Sequence, residues 1–198
     1  RLYYNRPLSN IVFMGMGEPL MNYPNVIKAI DKITSEEGLG MSPKRITVST
    51  SGISKMIKKM ADDNIKFKLA VSLHSAIEET RNQIMPFTKN FPLIELREAL
   101  SYWYKKTKSK ITFEYVVWKD INDDKKSIEA LVKLCKHVPC KVNLIEYNPI
   151  DDGMFQQANQ NALEAYIKAL EDNQIVAKVR RSRGKDIDAA CGQLANKS

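Results

Sequence analysis

Short apolar runs alternate along this chain with stretches of helical period, and that alternation limits the fold more than any other feature. Residues 10–14 (Asn10-Ile11-Val12-Phe13-Met14) read as a short buried strand. Between about residues 24 and 37, Val26, Ile27, Ile30 and Ile33 recur at helical spacing. The pattern repeats with strands at 45–48, 67–71, 111–117 and 141–145 and helices at 53–61, 93–104 and 125–136. Strands that alternate with helices predict an α/β fold, with parallel strands joined by right-handed crossovers. Past Pro149 a polar loop opens at Asp151-Asp152-Gly153. One more helix (158–170), one more strand (175–179) and a basic tail (180–198) follow. Residues 1–150 are expected to form the repeating unit, and residues 151–198 an extension packed on the same domain.

Composition narrows the class further. Hydrophobic residues make up 43% and charged residues 27%, the balance of a globular chain. No apolar run approaches the roughly 20 residues of a membrane-spanning helix, so no membrane association is expected. The first ten residues lack the apolar core of a secretory signal. Three cysteines, Cys135, Cys140 and Cys191, without CxxC spacing fit neither a disulfide scaffold nor a zinc site. A reducing, cytoplasmic setting is the expectation. Lys and Arg number 31 against 23 Asp and Glu, a net charge of +8 that suits an anionic partner.

In a parallel α/β array, functional groups collect where strands end and helices begin. Here those positions carry Gly15-Met16-Gly17-Glu18-Pro19, Ser49-Thr50-Ser51-Gly52, Ser72-Leu73-His74 and Tyr147-Asn148-Pro149. Each has a structural reading: a tight turn for the glycines, helix N-caps for Ser49 and Ser51, a hydrogen-bonded His74, an Asx turn at Asn148. Their convergence on one rim favours a single polar ligand. Glu18 beside a glycine turn suits an ammonium group, and Ser, His and Asn suit a ribose or carboxylate. No GxxxxGK[ST] loop is present to hold a nucleoside triphosphate.

These segments occur in order with Asp186-Ile187-Asp188-Ala189-Ala190-Cys191-Gly192-Gln193-Leu194. From about residue 10 to residue 194 the chain resembles the radical-SAM adenine C2-methyltransferases of 23S ribosomal RNA and transfer RNA, the RlmN type. The resemblance implies a partial (β/α)6 radical-SAM barrel, strands 2–6, with a C-terminal helix, strand and basic tail. It implies an S-adenosyl-L-methionine site formed by Gly17, Glu18, Ser49, Ser72, Leu73, His74 and Asn148. It also implies that Cys191 is the catalytic methyl carrier. In such enzymes one S-adenosylmethionine methylates the cysteine, and a second, cleaved at a [4Fe–4S] cluster, yields the radical that activates that methyl group. An electron-donating reductase feeds the cluster.

The family holds its cluster with a Cys-x3-Cys-x2-Cys motif upstream of the glycine turn, and none occurs in this sequence. The chain is therefore expected to be the C-terminal part of a longer enzyme, with no metal ligands of its own and no activity alone. Arg180, Arg181 and Arg183 flank Cys191 and are expected to contact RNA phosphates. A second basic group, Lys105, Lys106, Lys108 and Lys110, reads as a solvated helix end, and Cys135 and Cys140 read as structural. Two rivals stay open: the sibling enzyme that methylates adenine C8, and a cluster-free RNA-binding module.

Overall fold

A computed structural model of the chain describes residues 7–147 and 155–180. Six strands form one sheet in chain order: β1 (Ile11–Phe13), β2 (Ile46–Thr50), β3 (Lys68–Ser72), β4 (Ile111–Val117), β5 (Cys140–Glu146) and β6 (Val176–Arg180). Every neighbouring pair is parallel. The helices between them are α1 (Tyr23–Thr34), α2 (Ser54–Asp62), α3 (Glu78–Ile84), α4 (Leu93–Thr107), α5 (Lys125–Cys135) and α6 (Gln160–Asp172). The expected α/β class and parallel crossovers are thus observed. No helix among the described residues is long and apolar enough to cross a membrane.

Side-chain alternation divides each strand between two environments. On β4, Phe113, Tyr115 and Val117 enter the core shared with the helices, while Thr112, Glu114 and Val116 take the opposite face. Helix α4 supplies much of that core. Leu93, Leu96, Leu100 and Trp103 recur at helical spacing, all buried, and α4 packs on α2. Burying side chains of this size stabilises the fold by about 2 kcal/mol each.

The C-terminal end of α4 accounts for the second basic group. Trp103 is fully buried and its Nε1 donates to the Ser109 carbonyl at 3.2 Å. Lys108 caps the helix in a left-handed conformation, φ +56, its N–H bonded to the Tyr104 carbonyl. Lys106 pairs with Asp62 at 3.3 Å, and Lys105 and Lys110 are exposed. These lysines decorate a helix end in water.

Two elements differ from expectation. Helix α3 has no apolar period, because its sequence is Glu-Glu-Thr-Arg-Asn-Gln-Ile. Acidic residues in its first turn and tertiary bonds support it instead: Glu78 accepts the Leu93 N–H at 2.7 Å, and Arg81 is buried beneath it. The second difference is β6. It pairs with β5 from Lys141↔Val176 to Ile145↔Arg180, so this part of the extension is a strand of the common sheet.

Candidate functional site

A cavity of about 670 Å³ opens at the C-terminal ends of the strands, where the rim was expected. Strand register builds it. Ser72, Glu114, Asn143 and Lys178 stand in one row across β3 to β6, and Val116, Ile145 and Arg180 form the next row. Paired positions share a face, so these rows carry chemistry from four strands to one surface.

Gly17 lines the cavity with φ +84, a conformation that excludes most side chains. The turn aims Glu18 across to β2. Glu18 Oε2 accepts from both the N–H and the hydroxyl of Ser51, each at 2.6 Å, and Oε1 accepts the Leu20 N–H at 3.0 Å. Ser51 is therefore bound to the glycine turn and is not a helix cap. The N-terminal flank of α2 is Ile53, with no side-chain cap. Ser49 and Ser72 face each other with hydroxyls 3.5 Å apart.

Ser72 and His74 line the cavity, but Leu73 does not. Its side chain is fully buried in the core, its N–H donates to the Glu114 carbonyl, and its carbonyl accepts from Arg81 Nε at 3.3 Å. Alternation along the strand turns the middle residue of this triplet away. Leu73 can anchor the rim but offers no side chain to a ligand.

His74 sits at φ +55, strained for a residue with a Cβ. Its Nδ1 accepts the Val116 N–H at 3.1 Å. A backbone N–H can only donate, so Nδ1 is unprotonated and the ring's hydrogen is on Nε2. Burial, with the Arg81 charge as a second cause, lowers the His74 pKa from 6.5 to about 4. At neutral pH the ring is a neutral Nε2–H donor. Trp118 meets its edge at 5.6 Å between ring centroids, and Tyr147 and Phe155 extend this aromatic wall. Trp118 Nε1 and Tyr147 Oη on that wall bond to no described residue.

Three further polar residues belong to the site, and sequence reasoning missed them. Arg81 is fully buried; it bonds the carbonyls of Ser51 at 2.6 Å, Leu73 at 3.3 Å and Phe91 at 3.5 Å. Burial lowers its pKa to about 10, with Glu78 opposing the shift, so it is charged at neutral pH. Asn122 is also fully buried and bonds the carbonyls of His74 at 2.7 Å and Val116 at 2.9 Å. Glu114 accepts from Asn143 at 2.8 Å and pairs with Arg180 at 3.4 Å. A glutamate inside the apolar run Ile-Thr-Phe-Glu-Tyr-Val-Val was the available signal for that last one. Arg81 and Asn122 lie among polar neighbours and gave none.

Arg180 was expected at RNA phosphates with Arg181 and Arg183. The structure places it on the cavity, against Glu114 and within 3.5 Å of the Met14 sulfur. Arg181, Arg183, Asn148 and Cys191 lie outside the described residues. Cys135 and Cys140 end α5 and begin β5, at the opposite end of the strands from the cavity, and the Cys140 thiol donates to the Cys135 carbonyl at 3.7 Å. The described residues contain no group of three His, Cys, Asp or Glu able to hold a metal. The described residues therefore do not fit an iron–sulfur cluster.

Fold and site together define a parallel α/β barrel segment with a polar-rimmed cavity at the strand C-termini. No protein-family model matches the chain. It is 83% identical over its whole length to a probable dual-specificity RNA methyltransferase RlmN of Flavobacterium psychrophilum, spanning 57% of that protein. It is 80% identical to the protein of the same name in Flavobacterium johnsoniae, spanning 56%. The crystal structure of a radical SAM methyltransferase from Sphaerobacter thermophilus superposes with a TM-score of 0.91 at 39% identity, covering 95% of this chain and 55% of that one. Over nearly its whole length the chain is similar to a part of these RlmN-named and radical-SAM methyltransferases. It spans little more than half the length of these relatives.

Proposed function

We propose that this chain forms the S-adenosyl-L-methionine-binding part of a radical-SAM RNA methyltransferase acting at C2 of adenine in 23S ribosomal RNA and transfer RNA. The cavity carries this reading. It combines a glycine turn with a carboxylate, two facing serines and a fixed imidazole donor, and it is large enough for a nucleoside with an amino-acid arm. Gly17 and Glu18 would take the ammonium end. Ser49, Ser72 and His74 would bond the ribose or carboxylate oxygens, Leu73 would fix the backbone between them, and Asn148 would complete the site. Bound S-adenosylmethionine would supply the methyl group and the radical precursor. Cys191 would carry the methyl group, with Arg181 and Arg183 on the RNA backbone. The names of the relatives support the reaction class, and their greater length leaves room for the cluster ligands this chain lacks.

The test is a chimera in which this chain replaces the matching segment of the Flavobacterium psychrophilum relative. With an electron-donating reductase system, labelled methyl groups are expected at adenine C2 of 23S ribosomal RNA, and Cys191→Ala should abolish the transfer. Label at C8, or none from a chimera with its cluster loaded, overturns the reading. The 198-residue chain alone is expected to transfer none.

A further inference from the structure

His74 stands at a non-glycine positive φ on the cavity wall, and such strain persists only where surrounding bonds impose it. Two buried side chains impose it here, from opposite sides of the turn. Arg81 holds the carbonyl of Leu73, the residue before His74, and through a second donor the carbonyl of Ser51. Asn122 holds the carbonyl of His74 itself. The other hydrogen of the Asn122 amide goes to the Val116 carbonyl, beside the Val116 N–H that bonds His74 Nδ1.

The Asn122 amide is itself unambiguous. Its oxygen accepts the Trp118 N–H at 2.7 Å, and since a backbone N–H must donate, the other amide atom is the nitrogen. Its own carbonyl takes the Tyr166 hydroxyl at 2.5 Å, and Tyr166 in turn meets the Tyr115 hydroxyl at 3.1 Å. Every polar atom that orients Asn122 is thus occupied by groups without freedom to exchange roles.

We propose that Asn122 and Arg81 are positioning residues that hold the Ser72–His74 turn and so present His74 Nε2–H to the cavity as a fixed donor. The complementary ligand atom is an acceptor, such as a carboxylate or ribose oxygen; that identity rests on the reading above. Neither residue needs to touch the ligand. Their effect is to pre-pay the orientation of His74, so that binding does not have to order it.

The test uses the full chain, labelled with nitrogen-15. Only His74 and His137 contribute imidazole signals, and His137→Gln assigns them. Long-range proton–nitrogen correlations are expected to show wild-type His74 as the pure Nε2–H tautomer at pH 7. Asn122→Ala should mix the tautomers. Arg81→Lys keeps the charge but has one nitrogen where Arg81 reaches its three carbonyls from three, and should shift the His74 signals in the same sense. Leu131→Ala is the control: it opens the core on α5 without removing any hydrogen bond of this network and should leave the tautomer pure. A wild-type Nδ1–H form, or variants whose His74 signals match wild type, would overturn the proposal, as would an equal change in Leu131→Ala. Added S-adenosylmethionine should shift the wild-type Nε2–H signal, with affinity about tenfold weaker in Asn122→Ala. A wild-type signal that S-adenosylmethionine does not move sinks the cofactor reading of the cavity and leaves the tautomer result to decide the positioning role.

Discussion

The two sides of the cavity hold their polar groups in different ways. On the β2–β3 side, Ser51, Leu73 and His74 are fixed through their backbones. Glu18 takes the Ser51 N–H, Arg81 takes two carbonyls and Asn122 a third. On the β4–β6 side, Glu114 meets Arg180 through side chains at 3.4 Å, and the Arg180 side chain is 42% exposed. Backbone carbonyls cannot turn away to find water, whereas an arginine at a strand end can. The first side is a preformed wall, and the second is an exchangeable pair only at its arginine, since the Glu114 side chain is 5% exposed and stays in place with Asn143 as its second partner.

The largest expected effect lies on the fixed side. Arg81→Met keeps the volume but leaves the Ser51 carbonyl buried without a partner and weakens the hold on Leu73. We expect a loss of about 3 kcal/mol in urea unfolding. A loss below about 1 kcal/mol would show that the wall is not braced by Arg81, and the contrast between the two sides would disappear.

A middle-sized effect comes from pH. The folded-state pKa of His74, about 4, lies below the 6.5 of an unperturbed histidine. Between these values the unfolded chain binds a proton that the folded chain refuses, so stability present above pH 6.5 is lost as pH falls towards 4. Between pH 7.5 and 4.5 the wild type should lose about 2 kcal/mol more than His74→Gln. Parallel stability–pH curves for the two proteins would place His74 in a more watery setting than the fixed side allows.

The smallest effect belongs to the exchangeable pair. Glu114→Gln retains an acceptor for Asn143 and frees Arg180 to reach solvent, so stability should change by less than about 1 kcal/mol. A loss comparable with that of Arg81→Met in the same urea experiment would mean that both sides are rigid.

Much of the fold was legible because period is a local property. The strand at residues 111–117 coincides with β4, and the helix expected from residue 125 begins there. Glu18, Ser49, Ser72 and His74 were found because strand ends in parallel sheets converge, and glycine and serine cluster at them. Arg81 escaped notice because Glu-Glu-Thr-Arg-Asn-Gln looks like a solvated surface, and only packing under α3 buries it. Arg180 was grouped with Arg181 and Arg183 by proximity in sequence, but pairing with Ile145 on β5 turned it to the cavity.

The sequence by itself determined the order of elements, the strand ends that carry chemistry and the resemblance to a family, because these depend on residues near one another or on motifs read in order. It left open which polar side chains face inward and what they hold. Tertiary structure decided that Ser51 answers Glu18 and does not cap a helix, that Leu73 turns to the core, and that one ring nitrogen of His74 is free to donate. The physical reason is distance along the chain. Bonds between Glu18 and Ser51 span 33 residues and those between His74 and Asn122 span 48. Register and burial choose such partners, and no local pattern encodes them.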